Sequence, residues 1–232
     1  MATFCFIHGA WHDGSCWDSV VRCLQARGHE AVAPDLPLDN PHAGFEDRAR
    51  PALEALDVDA DPVVVVGHSM GSAYATLVAV ARPGSLLVHL CPRLGGFAAP
   101  PGAPDMFRKG FPFPVERPDG LSVWDADAAI GAMYGRLAPE TARALVQRLR
   151  PMAPPSGEYP LPGHPAIPTV LVYATDDEFF EPAWERFMAR ELLGIEPIEI
   201  AGGHFPMAED PDALADLLDR LARGHALPPQ PA

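Results

Sequence analysis

The chain has 232 residues, 48% of them hydrophobic, and carries a formal net charge of −14 at pH 7. This length is enough for one domain with a full core, while the acidic balance argues against nucleic acid or an anionic membrane as a partner, because both attract basic patches. The apolar runs fall well short of the ~20 residues that a membrane span requires, and Met1 leads into an apolar strand without the basic segment of a signal peptide.

The four cysteines show neither CxxC pairing nor a His-rich metal spacing. Such cysteines are typical of buried thiols in a reducing compartment, so we expect no disulfide. The chain is therefore predicted to be cytoplasmic and to use neither a metal nor another cofactor.

Strands and helices alternate along the first 90 residues. Short apolar runs predict strands over residues 4–7, 30–33, 63–66 and 85–90. Helical spacing of apolar residues predicts a helix over 16–27. Further helices are predicted over 45–56 and after Gly71, where small residues follow without another glycine until Gly84. Because strands that alternate with helices are joined by crossovers, the pattern indicates a mostly parallel sheet covered by helices.

A nucleophile-elbow pattern, Gly67-x-Ser69-x-Gly71, directly follows the valine strand at 63–66. The turn from strand to helix in this motif is tight, and glycine two residues before and after the serine tolerates the crowding. The turn raises the serine hydroxyl clear of the sheet, at the positive end of the next helix. Ser69 is therefore the candidate nucleophile.

Residues 92–165 break the alternation. Fifteen of the 28 prolines lie between Pro92 and Pro168, together with many large apolar side chains. Short helices are predicted over 125–134 and 139–149. A disordered linker is usually poor in aromatic residues, so this segment is interpreted as an inserted lid.

The alternation then resumes. Strands are predicted over 169–173 and 196–200, and helices over 182–192 and from Asp210 and Pro211 onward. The resulting division gives a core of residues 1–94 and 166–226, a cap of residues 95–165 and a flexible tail of residues 227–232.

Polar residues follow four of the predicted strands: the run His8-Gly9-Ala10, then Ser69, the pair Asp176 and Asp177, and His204. The carboxyl ends of parallel strands form the functional edge of such a sheet. A serine hydroxyl needs a nearby base, and the base needs an acid that fixes its tautomer. The order serine, acid, histidine matches that chemistry.

These motifs resemble the α/β-hydrolase superfamily over nearly the whole chain. The opening segment, residues 6–17, is similar to the small esterase and hydroxynitrile lyase-like branch. The resemblance implies an α/β-hydrolase fold with a mostly parallel central sheet, flanking helices and an inserted helical cap.

The resemblance also implies roles for individual residues. Ser69 would be the nucleophile, and His204, in its Gly-Gly-His-Phe-Pro setting, the general base. The family's acid follows the pattern Gly-x-x-Asp; here Ala174 holds the glycine position, which favours Asp177 and leaves Asp176 as the alternative.

The oxyanion of the tetrahedral intermediate would be bound by the backbone amides of Ala10 and Met70, again by resemblance. Candidate substrate contacts are aromatic residues of the opening loop, the lid and the histidine loop: Trp11, Phe97, Trp124 and Phe205.

The lyases of this branch have a threonine at the position of Gly9 and a lysine directly after the catalytic histidine, where this chain has Phe205. We therefore predict a serine carboxylesterase of small apolar esters or lactones, acting as a monomer or homodimer. One alternative is a lactonase, cyclase or C–C bond hydrolase on the same triad. A ligand-binding pseudoenzyme is a second alternative.

Overall fold

The computed structural model describes residues 1–225. The predicted flexible tail at 227–232 lies outside these residues. Within 1–225, no helix is both long enough and apolar enough to cross a bilayer.

The central sheet has six strands in the order β2-β1-β3-β4-β7-β8, and every neighbouring pair is parallel. All six strands of the sheet were predicted from the sequence. The strands are β1 (Thr3–Ile7), β2 (Glu30–Val32), β3 (Val63–His68), β4 (Leu86–Leu90), β7 (Thr169–Ala174) and β8 (Ile198–Ile200). Outside the sheet, β5 (Val115–Glu116) and β6 (Ser122–Val123) form a small antiparallel hairpin.

Helices cover the sheet and the insertion. They are α1 (Asp18–Ala26), α2 (Phe45–Ala55), α3 (Gly71–Ala81), α4 (Ala126–Ala129), α5 (Pro139–Val146), α6 (Pro182–Glu191), α7 (Pro206–Glu209) and α8 (Pro211–His225). The predicted helix at 16–27 begins as a 3₁₀ turn at Gly14–Trp17, and the predicted helix at 125–134 continues from α4 into a π-helical turn at Ile130–Tyr134.

The core lies on both faces of the sheet. Phe4 and Phe6 of β1 pack in one apolar cluster with Trp17 and Leu24, while Cys5 and Ile7 pack in the cluster on the opposite face. Successive strand side chains point to opposite faces, so a strand with continuous apolar residues is buried on both. The valine run of β3 is fully apolar for this reason.

The insertion leaves the sheet between β4 and β7, which are neighbouring strands. Its return segment is held to the core by Arg48, whose buried guanidinium donates hydrogen bonds to the carbonyl oxygens of Ala153 at 3.0 Å and Pro154 at 3.1 Å. Because the insertion lies between two neighbouring strands of the sheet, we propose a core at 1–94 and 166–226 and a cap at 95–165.

Candidate active site

The three candidate catalytic side chains follow three strands at the carboxyl edge of the sheet. Ser69 comes directly after β3, Asp177 comes three residues after β7, and His204 comes four residues after β8. Each lies in a loop at the carboxyl end of a strand of the six-stranded sheet, and all three are buried.

The turn at Ser69 has the geometry that the glycine pattern predicts. Ser69 has a φ of 50°, a left-handed conformation that is strained for a residue with a side chain. A Cβ added at Gly67 would lie 2.5 Å from the Ala75 Cβ, and one added at Gly71 would lie 2.5 Å from the His8 carbonyl oxygen. Both glycines are therefore required by close packing of the turn.

Asp177 and His204 form a buried pair, with 2.7 Å between Asp177 Oδ2 and His204 Nδ1. The other carboxylate oxygen of Asp177 accepts hydrogen bonds from the backbone amides of Phe179 at 2.7 Å and Phe180 at 2.8 Å. By contrast, the Asp176 side chain is 55% exposed and lies 3.5 Å from Arg136. The structure thus brings Asp177, and not Asp176, against the histidine.

The His204 loop and ring are held from several sides. The His204 amide donates to Glu178 Oε2 at 3.1 Å, and its carbonyl oxygen is 2.8 Å from His68 Nε2. Its ring stacks on Phe179, with centroids 4.7 Å apart. The ring and Ser69 line the same small cavity, so the imidazole and the hydroxyl face a common space.

His8 and His68 have structural partners. His8 Nδ1 lies 3.0 Å from the Gly9 carbonyl oxygen, while His8 Nε2 accepts a hydrogen bond from the Leu36 amide at 3.0 Å. Burial lowers the pKa of His8, and burial followed by the nearby His204 ring lowers the pKa of His68 well below its ordinary value. Both imidazoles are therefore neutral near pH 7.

The amides of Ala10 and Met70 are available as donors. Within residues 1–225, neither amide donates a hydrogen bond to another group of the chain, and both residues line the same cavity as Ser69. The loop at Ala10 is fixed by His12, whose Nδ1 lies 2.7 Å from the Ala10 carbonyl oxygen and whose Nε2 lies 2.5 Å from the Tyr134 hydroxyl. Burial lowers the pKa of His12 to about 4. A preset pair of free amides beside a serine is suited to bind an oxyanion.

A cavity of about 340 Å³ opens beside Ser69. Its walls are largely apolar, and six aromatic side chains contribute to them: Trp11, Phe107, Phe111, Phe113, Phe179 and Phe180. Arg93 and Glu116 are the charged residues of its lining in the described part of the chain. Such a cavity suits an organic substrate with a substantial apolar part.

The four predicted substrate contacts divide into two groups. Trp11 lines the large cavity and Phe205 lines the small cavity that contains His204. Trp124 packs behind them against Trp11, with ring centroids 5.3 Å apart, and Phe97 packs against Tyr159 at 5.1 Å. Neither Trp124 nor Phe97 lines a described cavity at the serine.

Sequence reasoning did not select Phe179, Phe180 or Arg93 as site residues. Phe179 and Phe180 follow Asp177 directly, and that position in the acid loop was the available signal. Arg93 gave no signal, since a single arginine in an irregular segment has no periodicity.

One group of side chains near the site has metal-ligand atoms within 4.8 Å of one another: Cys91, Asp177 and His204. Burial, followed by the charges of Glu185 and Asp177, raises the pKa of the Cys91 thiol well above its ordinary value. A protonated thiol is a poor ligand, and both Asp177 oxygens already accept hydrogen bonds. The donor set therefore suits a hydrogen-bonded pair better than a metal ion.

Comparison with known sequences supports the same fold. A family model described as the alpha/beta hydrolase family matches residues 6–217. A pyrethroid hydrolase of Sphingobium wenxiniae is 28% identical over an alignment that covers 93% of this chain and 86% of that protein. Probable esterase PIR7A of Oryza sativa subsp. indica is 26% identical, covering 94% of this chain and 96% of that protein.

Solved structures share the fold. Polyneuridine aldehyde esterase superposes with a TM-score of 0.75 at 16% identity, covering 96% of this chain and 99% of that one. A pyrethroid hydrolase from Sphingobium faniae JZ-2 superposes with a TM-score of 0.71 at 23% identity, covering 96% and 97%. Both comparisons extend over the core and the insertion.

Proposed function

Because the chain belongs to the alpha/beta hydrolase family and is an enzyme of the carboxylesterase type, we propose that it cleaves carboxylic esters of small apolar substrates through Ser69, His204 and Asp177. The observation that carries the proposal is the buried 2.7 Å pair of His204 and Asp177 beside a serine in a left-handed turn. An apolar cavity at that serine supports an apolar substrate.

In the proposed reaction, the Ser69 hydroxyl attacks the ester carbonyl carbon while His204 accepts its proton. Asp177 keeps the histidine proton on Nδ1, so that Nε2 is free to act as the base, and stabilises the imidazolium that forms. The Ala10 and Met70 amides would bind the oxyanion of the tetrahedral intermediate.

The intermediate then collapses, and His204 donates the proton to the departing alcohol. The acyl group remains on Ser69 as an ester. Water, deprotonated by His204, attacks this acyl-enzyme, releasing the acid and restoring the hydroxyl.

The proposal includes a cytoplasmic location and a small-molecule substrate as the partner, with the chain acting as a monomer or homodimer. The location is supported by four cysteines that are all free thiols, as expected in a reducing compartment. The net charge of −14 disfavours binding to nucleic acid or to an anionic membrane.

The test is hydrolysis of a p-nitrophenyl ester series of rising acyl length by wild type, Ser69→Ala and Ser72→Ala. Ser72 is a matched control, because it is a buried serine three residues on whose hydroxyl donates to the Gly67 carbonyl oxygen at 3.0 Å. We expect Ser69→Ala to lower kcat by a factor on the order of 10⁴ to 10⁶ and Ser72→Ala to stay within about tenfold.

A burst of p-nitrophenol equal to the enzyme concentration would reveal the acyl-enzyme. Full activity in Ser69→Ala would refute the serine mechanism. Turnover of lactones but of no open ester would favour the ring-opening alternative, and a single slow turnover with retained product would favour a ligand-binding role.

A further inference from the structure

Arg93 is the one cation among the described residues that line the cavity at Ser69. It lies in the segment after β4, and its backbone amide donates a hydrogen bond to the Ser69 carbonyl oxygen at 3.0 Å. This bond fixes the start of the Arg93 side chain beside the candidate nucleophile.

The Arg93 guanidinium has no carboxylate partner within residues 1–225, and its side chain is exposed. Two arginines of the cap form ion pairs, Arg108 with Glu181 at 3.1 Å and Arg136 with Glu209 at 3.2 Å. The chain has 31 acidic and 17 basic residues, so carboxylates that could pair with an arginine are in excess. Arg93 nevertheless has no such partner among the described residues at the largely apolar cavity that it lines.

We propose that Arg93 selects esters that carry a carboxylate on the acyl or the alcohol part, an inference that rests on the proposed ester hydrolysis at Ser69. A guanidinium presents a planar fork of N–H donors that binds both oxygens of a carboxylate. The aromatic walls would contact the apolar chain between the carboxylate and the ester.

Glu116 provides an internal control on the sign of the effect. It lines the same cavity from the β5 strand of the hairpin and is exposed. Its charge repels a substrate carboxylate, so its removal should act in the direction opposite to removal of Arg93. Within residues 1–225, no ion pair joins Glu116 to Arg93.

The experiment compares each acid with its neutral amide of equal length. Monomethyl adipate and methyl 5-carbamoylpentanoate probe the acyl part; the acetate esters of 6-hydroxyhexanoic acid and of its amide probe the alcohol part. The readout is the ratio of kcat/KM for acid over amide, measured at 0.15 M salt to screen the net charge of the protein.

We expect the acid to be preferred in at least one pair and the ratio to fall about tenfold in Arg93→Gln, the loss of one charge-assisted hydrogen-bonded contact. The ratio should rise in Glu116→Gln. Arg143→Gln is the matched control, because Arg143 is an exposed arginine of α5 outside the cavity lining, and its ratio should equal that of wild type.

Equal ratios in wild type and Arg93→Gln would overturn the assignment of Arg93 while leaving ester hydrolysis intact. A rise in the amide rate in both Arg93→Gln and Glu116→Gln, without a change in ratio, would also overturn it and would indicate that the two residues close the cavity together.

Binding to Ser69→Ala separates this inference from the proposed reaction, because it requires no turnover. Calorimetric titration with monomethyl adipate and its amide should show tighter binding of the acid, and the added Arg93→Gln change should remove that preference. Equal affinity for acid and amide in Ser69→Ala would refute the role of Arg93 even if no ester were hydrolysed.

Discussion

Replacing Asp177 with asparagine tests the candidate acid more sharply than any deletion, because it keeps the shape and changes only the hydrogen-bond pattern. Asp177 Oδ1 accepts two backbone hydrogen bonds, from Phe179 and Phe180, and Oδ2 faces His204 Nδ1 at 2.7 Å. The asparagine side chain has two possible orientations, with its NH₂ group directed either to these backbone amides or to His204.

The cost of leaving buried amides without an acceptor favours one of the two orientations. Turning the NH₂ group toward the two backbone amides would leave two buried donors unsatisfied, at about 1–3 kcal/mol each. Keeping the oxygen there turns the NH₂ group toward His204, which must then accept at Nδ1 and carry its proton on Nε2. That tautomer has no lone pair for the Ser69 proton, and in a chymotrypsin-type protease the corresponding change lowers kcat by about 10⁴.

The assay is kcat/KM on the best p-nitrophenyl ester, with Asp176→Asn as the control. Asp176 is adjacent in sequence, 55% exposed and directed to Arg136, so its variant should stay within about tenfold of wild type. An Asp177→Asn enzyme that is folded by urea titration and within tenfold of wild type would refute the reasoning. A larger loss in Asp176→Asn would instead identify Asp176 as the acid.

Three further outcomes are expected. Burial, with the Asp177 charge, raises the pKa of Glu185 well above its ordinary value. The folded state therefore favours the protonated carboxyl, and the protein loses stability as the pH rises above the pKa of this group in the unfolded chain, about 4.3. Glu185→Gln should have a higher urea midpoint than wild type at pH 8 and no such advantage at pH 4. Arg48→Met removes a buried guanidinium that donates to two carbonyl oxygens of the cap and should lower the free energy of unfolding by about 3 kcal/mol in a urea titration, with a smaller loss for Arg48→Lys. Gly71→Ala introduces a Cβ 2.5 Å from a backbone oxygen and should lower Tm by several degrees, whereas Gly131→Ala, with no atom within 4 Å of its Cβ, should not.

The sheet could be predicted because its strands carry a local signal. Residues 63–66 are four consecutive valines, and a β-branched run buried on both faces has one plausible conformation. The hairpin of β5 and β6 had no such signal, because each strand has only two residues and the first is exposed. The short helix α7 was missed for the same reason: four residues do not complete a periodic pattern.

The cap is the part whose contacts the sequence could not specify. Its aromatic residues indicated an apolar environment, but the same residue types occur in the wall of a cavity and in a packed core. Trp124 and Phe111 have ring centroids 5.9 Å apart, yet only Phe111 lines the cavity at Ser69. The difference depends on which side of an irregular segment faces the sheet, and a chain without a repeat of 2 or 3.6 residues gives no basis for that choice.

The convergence of acid and base at Ser69 depends on strand register, which is a long-range property. His68 pairs with Leu90, Leu90 with Val172, and Val172 with Ile198, so β7 and β8 each extend two residues beyond the level of His68. A slip of one residue in one pairing would move the following loop by about 3.3 Å. That distance exceeds the whole 2.7 Å separation of His204 and Asp177, so the site requires the register as strictly as it requires the residues.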